Sequence, residues 1–256
     1  MWITLAASGE LAAVDPATNA VETTDVGGDP CGIAFADGDL WVATVQGEEV
    51  LRFDLESGDV IDRVRVGDTI WDLQADEDGV WVALRSKADV VRIDPSDGKI
   101  VARIHVGGSL SGLAVTPEGV WVADELGDRV VRIDPDSNEV DVDRHIDGFA
   151  AQWFGFDAEQ LWVASMNDDQ VLRIDQRTGK ILDRVDVPGS PLDLDVAGGT
   201  AWVPANQTGE LWTVDVAAGK AIEGPTLAAG IFVAQVLAGA VWVLNFSGDE
   251  VYRLPL

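Results

Sequence analysis

The sequence predicts an all-β fold, a β-propeller of four-stranded antiparallel blades, on three observations. A Trp-Val step recurs in register: Trp2-Ile3-Thr4, Trp41-Val42-Ala43, Trp81-Val82-Ala83, Trp121-Val122-Ala123, Trp162-Val163-Ala164, Trp202-Val203-Pro204 and Trp242-Val243-Leu244. The intervals are 39, 40, 40, 41, 40 and 40 residues, the length of one propeller blade. Each interval holds short Val-, Ile- and Leu-rich runs bounded by Gly, Pro, Asp or Asn, and no helix of useful length. The repeat runs unbroken, so residues 1–256 read as a single propeller domain.

The first copy opens at strand B on Trp2 and continues through C (11–15) and D (20–26), without a strand A. The fourth copy is complete, with A over 111–116, B over 119–124, C over 129–134 and D over 139–146. Its B–C turn is Leu126-Gly127-Asp128 and its C–D turn Pro135-Asp136-Ser137-Asn138, a type I composition. Glycine-rich joints such as Gly27-Gly28, Gly67-Asp68, Gly107-Gly108 and Pro188-Gly189 lead each strand D into the next strand A. The last copy has A (231–237), B and C (251–254) and no strand D. Twenty-six strands and seven B–C hairpins favour seven blades with the first and last incomplete. Six blades with a redundant hairpin is the alternative.

Residues used in every copy read as scaffold. The repeated Trp is expected to fill the wedge between adjacent sheets. In Arg52-Phe53-Asp54, Arg92-Ile93-Asp94, Arg132-Ile133-Asp134 and Arg173-Ile174-Asp175 the Asp opens the C–D turn and can accept a backbone N–H two residues on.

Composition narrows the partners. The net charge of -28 comes from 45 acidic and 17 basic residues. Such a balance repels phosphate backbones and anionic lipid, so neither nucleic acid nor a membrane surface is expected as a partner. One cysteine, Cys31, excludes an internal disulfide and a cysteine metal cluster. Met1-Trp2-Ile3-Thr4 carries no basic region or sustained apolar run. The chain is therefore read as a soluble monomer without signal peptide, cytoplasmic by default; a secreted domain trimmed of its leader would look the same.

The unit from Gly112 to Ala123, Gly-Leu-Ala-Val-x-x-x-Gly-Val-Trp-Val-Ala, followed by Val-Val-Arg-Ile-Asp-Pro from Val130 to Pro135, resembles the YVTN-type propeller repeat. It is also similar to the superfamily containing virginiamycin B lyase. That resemblance implies a seven-bladed propeller, and for the lyase family a histidine base and bound magnesium at the channel mouth, opening a cyclic depsipeptide. The two histidines here, His105 and His145, fall on strand D at the outer edge of a blade. The family's base is thus not supplied at the mouth.

Function is sought where the copies diverge. Ten and nine residues before each Trp stand Cys31-Gly32, Trp71-Asp72, Ser111-Gly112, Gln152-Trp153, Leu192-Asp193 and Phe232-Val233. Trp71, the run Phe149 to Phe154 and Phe232 put bulky rings where the repeat asks for none. Four residues after each Trp, in the B–C turns, stand Ala6, Val45, Arg85, Glu125, Met166, Asn206 and Phe246. Strand A entries and B–C turns gather on one face of a propeller, so Trp71, Asp72, Arg85, Glu125, Gln152, Trp153, Asn206 and Phe232 form the expected ligand site: aromatic rings with a few isolated polar groups. The expectation is non-catalytic binding of a small or peptide-like, partly aromatic ligand. The alternatives are a lyase, hydrolase or cyclase acting on a hydrophobic natural product, and a protein-interaction platform. In the enzyme reading Glu125 or Asp72 acts as acid or base and Arg85 stabilises an oxyanion. No cofactor is required, although Asp72, Asp124 and Glu125 offer oxygen ligands to magnesium or calcium.

Overall fold

The computed structural model describes residues 1–55, 57–157, 160–248 and 250–256. Among them, seven antiparallel sheets follow one another in chain order, the blades of a seven-bladed β-propeller. The six-bladed alternative is excluded. The first sheet has three strands, β1 (Trp2–Leu5), β2 (Glu10–Val14) and β3 (Val21–Asp25). The second has β4 (Pro30–Ala36), β5 (Asp39–Thr44), β6 (Glu49–Phe53) and β7 (Val60–Arg65), and the third β8 (Ile70–Ala75), β9 (Val80–Leu84), β10 (Asp89–Ile93) and β11 (Ile100–His105). The fourth is β12 (Leu110–Thr116), β13 (Gly119–Asp124), β14 (Arg129–Asp134) and β15 (Glu139–His145). The fifth comprises β16 (Phe154–Phe156), β17 (Gln160–Ser165), β18 (Gln170–Asp175) and β19 (Ile181–Asp186), the sixth β20 (Asp195–Ala197), β21 (Thr200–Pro204), β22 (Leu211–Asp215) and β23 (Lys220–Ile222). The seventh again has three, β24 (Ile231–Leu237), β25 (Ala240–Asn245) and β26 (Glu250–Pro255). No helix among the described residues is long and apolar enough to cross a membrane.

The chain forms two compact units, Met1–Val115 with Asp136–Glu139, and Thr116–Pro135 with Val140–Leu256. Within the first, Trp41 is fully buried in a cluster with Leu73, Val80 and Val82 of the following sheet, and Trp2 packs against Leu40, Val42 and Phe53. In the second, Trp162 meets Val203 and Val214 of the next sheet, and Trp202 packs against Val241 and Val243. Within each unit these Trp side chains therefore seal the space between one sheet and its successor, which a large flat side chain is suited to fill.

A second layer of the repeat comes from cross-strand register. Trp41, Trp162 and Trp242 lie directly opposite Arg52, Arg173 and Arg253. The guanidinium carbon stands over the indole at 5.3, 5.9 and 5.4 Å from the ring centroid, and Arg92 and Arg132 do the same over Trp81 and Trp121. The Arg of Arg-x-Asp thus covers the outer face of the Trp by a cation–π contact. The Asp behaves as expected in two blades, where Asp94 Oδ1 accepts from Ser96 N at 2.9 Å and Asp175 Oδ1 from Arg177 N at 3.2 Å; Asp54 Oδ1 reaches one residue further, to Ser57 N at 2.8 Å. At the joint, Gly107 and Gly108 have φ of 81° and 85°, a left-handed pair that glycine alone adopts without strain.

The inner strands are less regular than the repeat implies. β16 and β20 have three residues each; ahead of β20 only an isolated bridge of Pro191 with Ala205 forms, proline having no N–H to carry a continuous ladder. The Gly224-Pro225 pair likewise stops β23 after three residues.

Candidate functional site

In the first unit the pairing of β8 with β9 shifts between Ile70, opposite Leu84, and Asp72, opposite Ala83. Trp71 is the extra residue of a β-bulge, and a bulge re-aims the side chain it carries. Trp71 is 39% exposed. The B–C turn closes on this entry, with Arg85 N donating to Thr69 O at 3.0 Å. The Arg85 guanidinium carbon then sits 4.0 Å from the Trp71 ring centroid. Turn and strand entry do share one face, as the repeat alignment requires.

Asp72 points the other way. It is 7% exposed, and its carboxylate accepts from Leu73 N and Leu113 N, both at 2.7 Å. Burial raises its pKa to about 6, against the pull of those two amides. Its geometry is that of a clip between β8 and β12. Cys31, at the corresponding entry of the preceding blade, is exposed, and its Sγ donates to Ala43 O at 3.7 Å.

The second unit repeats the device. β24 pairs with β25 through a shift between Ile231, opposite Asn245, and Val233, opposite Leu244, so Phe232 is a bulged residue. Phe246 N donates to Gly230 O at 3.0 Å, folding that B–C turn onto the entry. The Phe232 and Phe246 centroids are 6.1 Å apart, and Trp153 meets Phe232 edge to face at 5.1 Å. Of the run from Phe149 to Phe154, Trp153 alone reaches this cluster; Phe149 and Phe154 are buried. Phe246 is 77% exposed. Read from the sequence only as one variant among the turns, it proves to be the third ring of the cluster.

The polar candidates divide. Asn206 Nδ2 donates to Ile231 O at 3.0 Å, holding the backbone one residue before Phe232. Gln152 is buried. Glu125 is half-buried in its turn beside the exposed Leu126. Asp124 accepts from Arg129 Nε at 2.8 Å and from Gly127 N at 3.0 Å, so its carboxylate fixes the turn. Among the described residues no group of three His, Cys, Asp or Glu is arranged to hold a metal ion. His105 and His145 are exposed on or beside their strands, facing Asp89 at 2.8 Å and Asp147 at 2.9 Å.

A family model described as outer membrane protein assembly factor BamB matches residues 86–252. No curated protein matches the sequence. Among solved structures, virginiamycin B lyase from Staphylococcus aureus superposes with a TM-score of 0.86 at 14% identity, over all of this chain and 90% of that one. A hydrazine synthase from Kuenenia stuttgartiensis gives 0.85 at 14% identity, covering 100% and 92%. A chain of a mitotic checkpoint complex gives 0.87 at 12% identity, covering 100% and 84%. These likenesses are of fold, and their bearers include enzymes and a component of a protein assembly.

Proposed function

The chain belongs to the family described as outer membrane protein assembly factor BamB, and from that premise we propose that it is a non-catalytic binding propeller for a peptide-like or small, partly aromatic ligand. One observation carries this reading: Trp153 ahead of β16, Phe232 on the bulge of β24 and Phe246 in the turn after β25 meet in a partly exposed aromatic cluster of the second unit. Two of the three rings are placed by departures from the repeat, and a scaffold has no need of them. Aromatic faces of this kind take rings and aliphatic side chains by stacking and burial. Trp71 with Arg85 on the first unit offers a second platform, suited to a planar or anionic group.

The enzymatic alternative has less support, because Asp72 is occupied by two amides and the histidines lie on outer strands. The family description favours peptide segments of other proteins over metabolites as ligands.

A tryptophan-fluorescence and thermal-shift titration tests the reading, using aromatic small molecules, cyclic and linear aromatic peptides and sugars, with magnesium, with calcium and with chelator. The expected result is a saturable response to aromatic peptides that Phe232→Ala removes while the melting curve stays cooperative. A response that survives Phe232→Ala and Trp153→Ala would sink it.

A further inference from the structure

The chain covers many of its own aromatic faces with arginine. Trp41, Trp81, Trp121, Trp162 and Trp242 each carry a guanidinium from the neighbouring strand, and Trp71 carries Arg85. The cluster of the second unit is built differently. Among the described residues no arginine lies over Trp153, Phe232 or Phe246, whose ring contacts are with one another. The planes of Trp153 and Phe232 are inclined by 69°, and an edge-to-face pair of this kind uses one face of one ring only. Both side chains are half-buried.

The loops that carry the rings are knit together by their backbones. Trp153 N donates to Leu192 O at 3.3 Å, Asn206 N to Ser190 O at 3.1 Å, Gly230 N to Asn206 O at 2.7 Å and Phe246 N to Gly230 O at 3.0 Å. In sequence these loops, 147–153, 166–169, 188–193, 206–209, 224–230 and 246–249, hold no lysine, arginine or histidine. Their charges are all carboxylates, and two are fixed in place by amides of the same loops. Asp168 Oδ2 accepts from Ala150 N at 3.3 Å, and Asp169 Oδ1 accepts from Gly189 N at 3.1 Å and Ser190 N at 2.8 Å. Asp193 follows the Leu192 that receives Trp153. Arg129, at the start of β14, is held by Asp124 and Asp143. The cluster therefore sits among fixed negative charges in a chain of net charge -28, a field that concentrates cations and repels anions.

We infer that the ligand of this cluster is a peptide segment of another protein that presents an arginine beside an aromatic residue, its guanidinium stacked on these rings. The inference rests on the binding reading above and names the charge of its ligand. Ring faces attract a cation through their quadrupole, and a planar, weakly hydrated guanidinium stacks where an ammonium does not. It is the contact the chain already makes on six of its own tryptophans. The surrounding carboxylates supply the complementary charge.

Calorimetric titration of the 256-residue chain tests this with the peptides acetyl-Gly-Phe-X-Phe-Gly-amide, X being arginine, citrulline or glutamate, and with free arginine amide. Citrulline keeps the planar side chain and loses the charge. The expected result is saturable binding of the arginine peptide, binding at least about fivefold weaker with citrulline, and none with glutamate. The arginine preference narrows as salt rises from about 50 to about 500 mM. Phe246→Leu keeps an apolar side chain and removes a ring, so it lowers the ratio of arginine to citrulline affinity without changing the melting temperature. Asp169→Asn keeps the Oδ1 acceptor and suits the φ of 51° at that residue; it weakens the arginine peptide about twofold and leaves the citrulline peptide unchanged. Equal binding of the arginine and citrulline peptides, both lost in Phe232→Ala, overturns the inference and leaves the aromatic reading standing. Arginine binding that survives Phe232→Ala and Phe246→Leu is attraction to net charge alone and overturns it too. So does free arginine amide binding as tightly as the peptide, which would assign the site to a small cation. No binding of any of the peptides sinks the inference and the aromatic reading together.

Discussion

The Arg85 guanidinium lies 4.0 Å above the Trp71 ring centroid, joining the third blade's B–C turn to the bulge on its inner strand. Both residues break the repeat, and each gives the other its orientation. At a partly exposed site such a contact is worth about 0.5–1 kcal/mol. A double-mutant cycle of Trp71→Ala and Arg85→Ala in denaturant unfolding is expected to show that coupling, and Arg85→Lys to lose most of it, because ammonium does not stack as a planar group does. Additive single effects would mean that the two rest side by side without energetic consequence.

Asp72 makes stability depend on pH. Its folded pKa of about 6 lies above the ordinary carboxylate value of 3.8, so between the two the folded state holds a proton that the unfolded chain has released. The stabilisation is fully present below about 3.8 and is lost as pH rises through about 6. With roughly 1.4 kcal/mol per unit, the loss is of the order of 3 kcal/mol. Asp72→Asn removes the titration, so the stability difference between variant and wild type should move in the variant's favour by about that amount between pH 4 and pH 8. Parallel stability curves would show that burial of Asp72 is not what the fold experiences.

The fold was legible because it is written seven times: the Trp spacing, the turn residues and the count of 26 strands all reappear in the structure. The Arg over each Trp was not, since a cross-strand pair depends on register and the sequence shows only that both residues recur. At the site, Trp71, Trp153, Phe232 and Arg85 were found by asking where copies differ. Phe246 was visible in the same comparison but had no reason to be singled out until the bulge at Phe232 brought the rings together. Asp72 was not legible in the same way: the bulge that sets Trp71 outside the ladder cannot be read from sequence, and it leaves Asp72 opposite Ala83, buried against Leu113 N.

The Trp ladder predicts unequal costs along the chain. Trp162 is fully buried and covered by Arg173, whereas Trp202 is half-buried and faces Thr213 in place of an arginine. Truncating a buried aromatic costs about 3–5 kcal/mol. Chemical denaturation should place Trp162→Ala in that range and Trp202→Ala well below it. Equal losses would remove the arginine cover and the depth of burial from the explanation.

Phe232 and Phe246 should separate stability from binding. Phe232 stands between two rings and is partly buried, so Phe232→Ala loses both contacts, at about 0.5–1.5 kcal/mol each by double-mutant measure. Phe246 touches Phe232 on one side and solvent on most others, and surface changes of this sort stay within about 0.5 kcal/mol. For the aromatic peptide that perturbs the fluorescence of this cluster, Phe246→Ala is expected to lower affinity about tenfold, a hot-spot loss of roughly 1–2 kcal/mol, with an unchanged melting temperature. Calorimetric titration alongside thermal denaturation decides it. An unchanged affinity would confine Phe246 to the turn, and the binding surface would then shrink to Trp153 and Phe232.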